Sequence, residues 1–160
     1  MDAFFSWLEG SAPAEAVRAT PFVYAALESV HILGIALLVG PAAAFDLRLL
    51  GVGRHRLPVT VAARHLLPPA RLGLALAVTS GSVMFVSGAA TVGSSAAAPW
   101  KLALLLVAAL NVAVFHTTAY RTVHRWDTAA PPPAAAKAAA TVSLLTWAAT
   151  ITAGRLLAYT

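Results

Sequence analysis

Apolar residues gather in four long stretches, about 22–45, 71–92, 100–120 and 136–158, separated by segments rich in Arg, Pro and Gly. Each is long enough for a membrane helix, which needs roughly 20 mostly apolar residues to cross about 30 Å of hydrocarbon. Prolines stand just before three of the four, at Pro68-Pro69, Pro99 and Pro131-Pro132-Pro133. A proline at a helix start loses no hydrogen bond, because the first N–H groups have no helical partner. The predicted fold is all-α: an integral-membrane four-helix bundle, one membrane domain over residues 1–160.

Charge fixes the expected orientation. Arg48, Arg54, Arg56, Arg64 and Arg71 fall in the connection 46–71, and Arg121, Arg125 and Lys137 in the connection 121–137. Only Arg18, Lys101 and Arg155 fall on the other side. By the positive-inside rule both basic loops are cytoplasmic and both termini outside. Within the first loop, "RLPVTVAARHLLPPAR" mixes apolar and basic residues and reads as a short helix lying on the inner surface. The opening "MDAFFSWLEG" starts with an acid and has a short apolar run, unlike a signal peptide. Ala3–Leu8 reads as an amphipathic segment whose Phe4, Phe5 and Trp7 suit the headgroup region.

Composition then narrows the chemistry. The chain is 59% hydrophobic and 11% charged, more apolar than a soluble domain needs, so the surplus is expected to face a lipid bilayer. It has no cysteine, which excludes disulfides, thiolate metal sites and iron–sulfur clusters. The net charge of +5 lies in loops beside the membrane, so no nucleic-acid partner is expected. Small residues line the second span (Gly73, Ala77, Ser80, Gly81, Ser87, Gly88) and the fourth (Ala139, Ser143, Thr146, Thr150, Gly154). They read first as packing seams between helices, and second as a slot for a flat cofactor.

Ionisable residues inside a bilayer are costly and point to function. Glu28 and His31 lie one turn apart in the outer half of the first span, and Asn111 and His116 lie in the third. Arg155, near the outer end of the fourth span, is at a depth to meet Glu28. Intramembrane histidines serve haem ligation, metal binding or proton relay. Three metal ligands do not gather at one depth, although His31 and His116 are the candidates. A haem b needs only one or two. His31 is then the leading ligand, with Met84 near its depth, His65 able to approach His116 if its segment folds inward, and Arg155 or Lys101 available for a propionate. His31 lies roughly 13 Å below the outer surface and His116 roughly 22 Å, a poor match for two ligands of one iron.

The stretches "VHILGIALLVGPAAAFDLRLLG", "LLPPARLGLALAVTSG", "KLALLLVAALNVAVFHTTAYR" and "WDTAAPPPAAAKAAATVSLLTWAATITAGRLLAY" resemble an uncharacterised family of small bacterial four-helix membrane proteins. The resemblance covers nearly the whole chain, brings no known activity, and implies a multi-pass protein of the bacterial cytoplasmic (inner) membrane. More distantly, a histidine early in the first span followed by glycines, and "K…FH" along the third, are similar to the HemJ-type protoporphyrinogen oxidase and to the membrane domain of CopD-type copper-resistance proteins. That similarity implies haem ligation by His31, with Lys101 and His116 matching the Lys–His pattern. Glu28 and Met84 have no counterpart there.

Three functions fit these features. The first is a b-type haem protein with a redox role, exchanging electrons with a quinone or a redox partner. The second is a small transporter or metal-handling protein with Glu28, His31 and Asn111 along its path. Its small size and lack of an internal repeat would call for a homo-oligomer. The third is a non-catalytic accessory membrane subunit.

Overall fold

The structure, a computed structural model, describes residues 2–128 and 130–156. Two short helices, α1 (Asp2–Glu9) and α2 (Ala12–Ala19), precede the long α3 (Val23–Leu49) and α4 (Val59–Ser87). A short α5 (Ala89–Ser94) leads into α6 (Ala97–Thr117), followed by a 3₁₀ helix (Ala119–Arg125) and α7 (Ala134–Leu156). α3, α4, α6 and α7 are each long and apolar enough to cross a membrane. They alternate in direction, so one end of the bundle carries α1, α2 and the end of α7, and the other carries the basic loops. Only 11% of the apolar window of α6 is buried, and Trp100, Leu102, Leu106 and Leu110 project outward, as lipid-facing side chains do.

The second span departs from expectation. The segment read as a surface helix is the start of α4, which runs unbroken from Val59 through Pro68 and Pro69 to Ser87. The two prolines withhold N–H groups from the carbonyls of Arg64 and His65. They do so near the basic end, where those carbonyls are closest to water, and the buried faces of Val59, Ala62 and Ala63 hold the segment in the bundle. The connection from α3 shrinks to residues 50–58, and it turns at Gly51 and Gly53, whose φ of 106° and 67° suit glycine.

Close packing runs from α4 to α3, from α3 to α7 and from α7 to α6, whereas α4 and α6 share no extended seam among the described residues. The tightest seam joins α3 and α4. A Cβ on Gly34 would stand 2.8 Å from the Ala77 nitrogen, and one on Gly73 would collide with the backbone of Leu37 and Leu38. The small-residue stripe of the second span is therefore first a packing seam. Between α6 and α7 the Asn111 amide donates to the Ala139 carbonyl at 2.9 Å, so this intramembrane polar residue pins two helices.

Each end of the bundle is closed by long-range polar contacts. At the terminal end Arg18 donates to the Ser87 and Glu9 carbonyls, both at 2.8 Å, and the Glu9 carboxylate accepts the Ala90 N–H at 2.7 Å. The α1–α2 pair thereby caps the junction of α4 and α5. Phe5 also packs there, on Gly93 and 6.3 Å from Phe85, while Phe4 and Trp7 stay exposed as interfacial residues would. At the basic end lies the main core, in which Phe45, Leu49, Val59, Phe115, Val123 and Trp126 are buried together. Over it, buried Arg48 donates to the carbonyls of Leu57 and Asp127. Asp127 in turn accepts the Val59 N–H on its carbonyl at 3.0 Å and the Thr60 N–H and hydroxyl on its carboxylate, both at 2.8 Å. These N–H groups open α4 and have no helical partner, so a residue from a distant loop caps the helix.

Two outcomes follow. Gly73→Ala should lower the stability of the detergent-solubilised protein by about 1–3 kcal/mol, the usual cost of overpacking. Gly40→Ala, where a Cβ meets nothing within 4 Å, should be neutral or stabilising by up to about 1 kcal/mol. Thermal unfolding of the two variants decides. Desolvation works against the Asp127 carboxylate, but the bonds from Thr60 and Val59 and the Arg48 charge outweigh it and hold its pKa below the ordinary aspartate value. A depressed carboxylate stabilises the fold fully above about pH 4 and loses that contribution as pH falls through the native value. Acid unfolding curves should therefore be flatter for Asp127→Asn than for the wild type; parallel curves would refute the cap.

Candidate functional site

The α3–α4 seam sets a register. Leu38 meets Gly73 and Gly34 meets Ala77, and one turn further towards the terminal end His31 meets Ser80 and Gly81. The His31 Nδ1 lies 3.1 Å from the Ser80 Oγ. A Cβ on Gly81 would stand 2.8 Å from the His31 Cε1, so the imidazole lies against a glycine that leaves room for it. The Ala77 carbonyl also faces the ring.

The Ser80 hydroxyl has one proton, and the Leu76 carbonyl lies 2.5 Å from it. With the proton placed there, the hydroxyl accepts from His31, the arrangement in which Nδ1 carries the hydrogen and Nε2 keeps its lone pair. The ring is half-buried.

α6 and α7 complete the surroundings. Lys101 acts on the imidazole electrostatically. Its Nζ lies 3.4 Å from where a Cβ of Gly154 would be, so the lysine chain runs along the bare backbone of α7. All four long helices thus contribute: His31 from α3, Ser80 and Gly81 from α4, Lys101 from α6 and Gly154 from α7. The side of this site between α4 and α6 lacks a packed seam.

The other candidates are placed as follows. Met84 is half-buried on α4, one turn beyond Ser80. Arg155 is exposed beside Gly154. Glu28 is exposed on α3, so it does not enter the interior with His31; the imidazole contacts Ser80 instead. His116 sits at the far end of α6, donating Nδ1–H to the Val112 carbonyl at 2.9 Å and packing 5.3 Å from the Tyr120 ring. By helix rise, His31 is about 12 Å from the start of α3 and His116 about 28 Å from the start of α6, so the two belong to different sites. His65 does not fold towards His116. It is exposed, bonded to the Val61 carbonyl at 2.9 Å, and absent from the cleft that His116 lines, because α4 is already a regular helix there. Among the described residues no three His, Cys, Asp or Glu side chains converge as a metal site.

Two buried groups were not visible in the sequence pattern. Ser80 read as one more small residue. Asp46 read as part of the basic loop, yet it is buried in α3 with its carboxylate against the Ser143 hydroxyl of α7 and one oxygen without a partner. An acid two residues before a buried Arg48, within a helix that had not yet ended, was the available signal.

The chain belongs to a family of unknown function, DUF6644, which it matches over residues 4–160. No curated protein and no solved structure matches it.

The tautomer can be checked directly. With ¹⁵N-labelled histidine, His31 should give the signature of a neutral ring protonated at Nδ1, and Ser80→Ala should redistribute the proton to Nε2. The same spectrum in both proteins would show that Ser80 does not set the tautomer.

Proposed function

We propose that this member of the family is a b-type haem protein of the bacterial cytoplasmic membrane with a redox role, His31 being the axial ligand. The carrying observation is the contact of the His31 Nδ1 with the Ser80 Oγ at 3.1 Å; with the serine proton on the Leu76 carbonyl, Nδ1 would carry the hydrogen and Nε2 would be left to bind iron. Metal-bound histidines characteristically have their second nitrogen fixed in this way. The residues present fit a haem held from one side. Ser80 orients the ligand, Gly81 clears space for the ring, and Lys101 offers a cation to a propionate. Met84 is the remaining candidate at that level, and His116 is too distant along the bundle to serve the same iron. Bound haem supplies one-electron chemistry at a potential tuned by its ligands and by burial. A quinone or a redox protein would be the electron partner.

One observation favours the accessory-subunit alternative: Asn111, Arg18 and Arg48 all pin helices together. Polar residues serving only assembly would make His31 dispensable.

Absorption spectroscopy separates the two. Protein purified in detergent from haem-replete cells should show a Soret band and, after dithionite, sharp visible bands. His31→Ala should abolish them, and His116→Ala should leave them in place. A featureless spectrum, or full haem retention in His31→Ala, would overturn the assignment.

A further inference from the structure

A second concavity, of about 340 Å³, lies at the basic end between the first turns of α4 and the end of α6. Arg64, Leu67, Pro68 and Arg71 form one wall, and His116 and Tyr120 the other. Arg64 and Arg71 are two helical turns apart, so they share a stripe of α4 and stand about 10 Å apart along its axis. Leu67 and Pro68 lie between them. No acid lines the cleft. Asp127, which adjoins it through Thr60, has its carboxylate engaged by the Thr60 N–H and hydroxyl. Its charge is set against Arg48, so the two guanidinium groups have no acid in the lining of the cleft. His116 is anchored by its bond to the Val112 carbonyl, and its ring steadies Tyr120. The wall facing the arginines thus carries a phenol that can donate a hydrogen bond.

We infer that this cleft binds a phosphate-bearing anion, bridged by Arg64 and Arg71 and hydrogen-bonded by the Tyr120 hydroxyl, with its carbon portion on the Leu67–Pro68 surface. Guanidinium groups match phosphate oxygens in both charge and geometry. A basic pocket at the end of a membrane bundle suits the headgroup of an acidic phospholipid. A soluble phosphomonoester presents the same chemistry. The site is separate from His31 and does not depend on haem.

Native mass spectrometry of the full chain in neutral detergent tests this, with phosphatidylglycerol, phosphatidylcholine and glycerol 3-phosphate as probes. The wild type should retain phosphatidylglycerol in preference to phosphatidylcholine. Arg64→Gln and Arg71→Gln should each weaken that binding by about fivefold, the usual effect of one basic residue at a membrane surface. Arg121→Gln, exposed outside the cleft, should bind as the wild type does. An unchanged His31 ¹⁵N signal in each variant certifies the fold. Retention of the lipid but not glycerol 3-phosphate assigns the site to a headgroup, and tight binding of glycerol 3-phosphate assigns it to a soluble phosphate; either supports the inference. Wild-type affinity in the Arg64→Gln/Arg71→Gln double variant, an equal loss in Arg121→Gln, or no binding of either anion by the wild type would overturn it.

Discussion

The backbone contact between α3 and α4 at Gly34 and Gly73 governs the rest of the molecule. In lipid, helices gain little from burying apolar side chains, so close approach of bare backbone carries much of the association. Here the approach is too tight for even a methyl group on Gly73. That tightness leaves little freedom of register, and the register decides what His31 meets one turn away. A slip of α4 by one residue would turn Ser80 away from the imidazole by about 100°. The same seam occupies the surface that a flat cofactor would otherwise use on α3.

The polar groups inside the bundle fall into two kinds. Asn111, Arg18, Glu9, Arg48 and Asp127 bond backbone groups, and each joins segments distant in sequence. Their presence is explained by assembly. His31 and Lys101 differ. Ser80 would be satisfied without His31, since its hydroxyl already bonds within α4. Lys101 acts on that ring electrostatically and lies along a glycine of α7. Placing an imidazole and an ammonium together in an apolar setting is costly and contributes little to packing. That cost is the physical reason for assigning function to this place.

Four membrane-length helices were legible from apolar run length alone; α3, α6 and α7 overlap the stretches 22–45, 100–120 and 136–158, the last of which ends outside the described residues. The beginning of α4 was not. Pro68-Pro69 resembles a helix start, but both prolines sit inside the helix, near an end where free carbonyls can reach water. The stripe of glycines and serines was legible as a face, yet no local pattern says which helix it faces. His31 was identifiable as an intramembrane histidine. Its partners were not, because Ser80 and Lys101 reach it only through the register of three helices. Glu28 drew attention by lying one turn from His31, but that spacing permits two side chains to share a face without requiring both to point inward. Asp46 escaped notice because its neighbourhood is basic and its helix continues past the expected span.

The glycine seam delivers His31 to Ser80. The most direct measurement is a solid-state NMR dipolar recoupling experiment between ¹⁵Nδ1 of His31 and ¹³Cβ of Ser80 in protein reconstituted into lipid vesicles. A strong coupling, as a 3.1 Å contact between Nδ1 and the serine oxygen demands, is the expected result. No detectable coupling in well-folded protein would contradict the register and the site built on it.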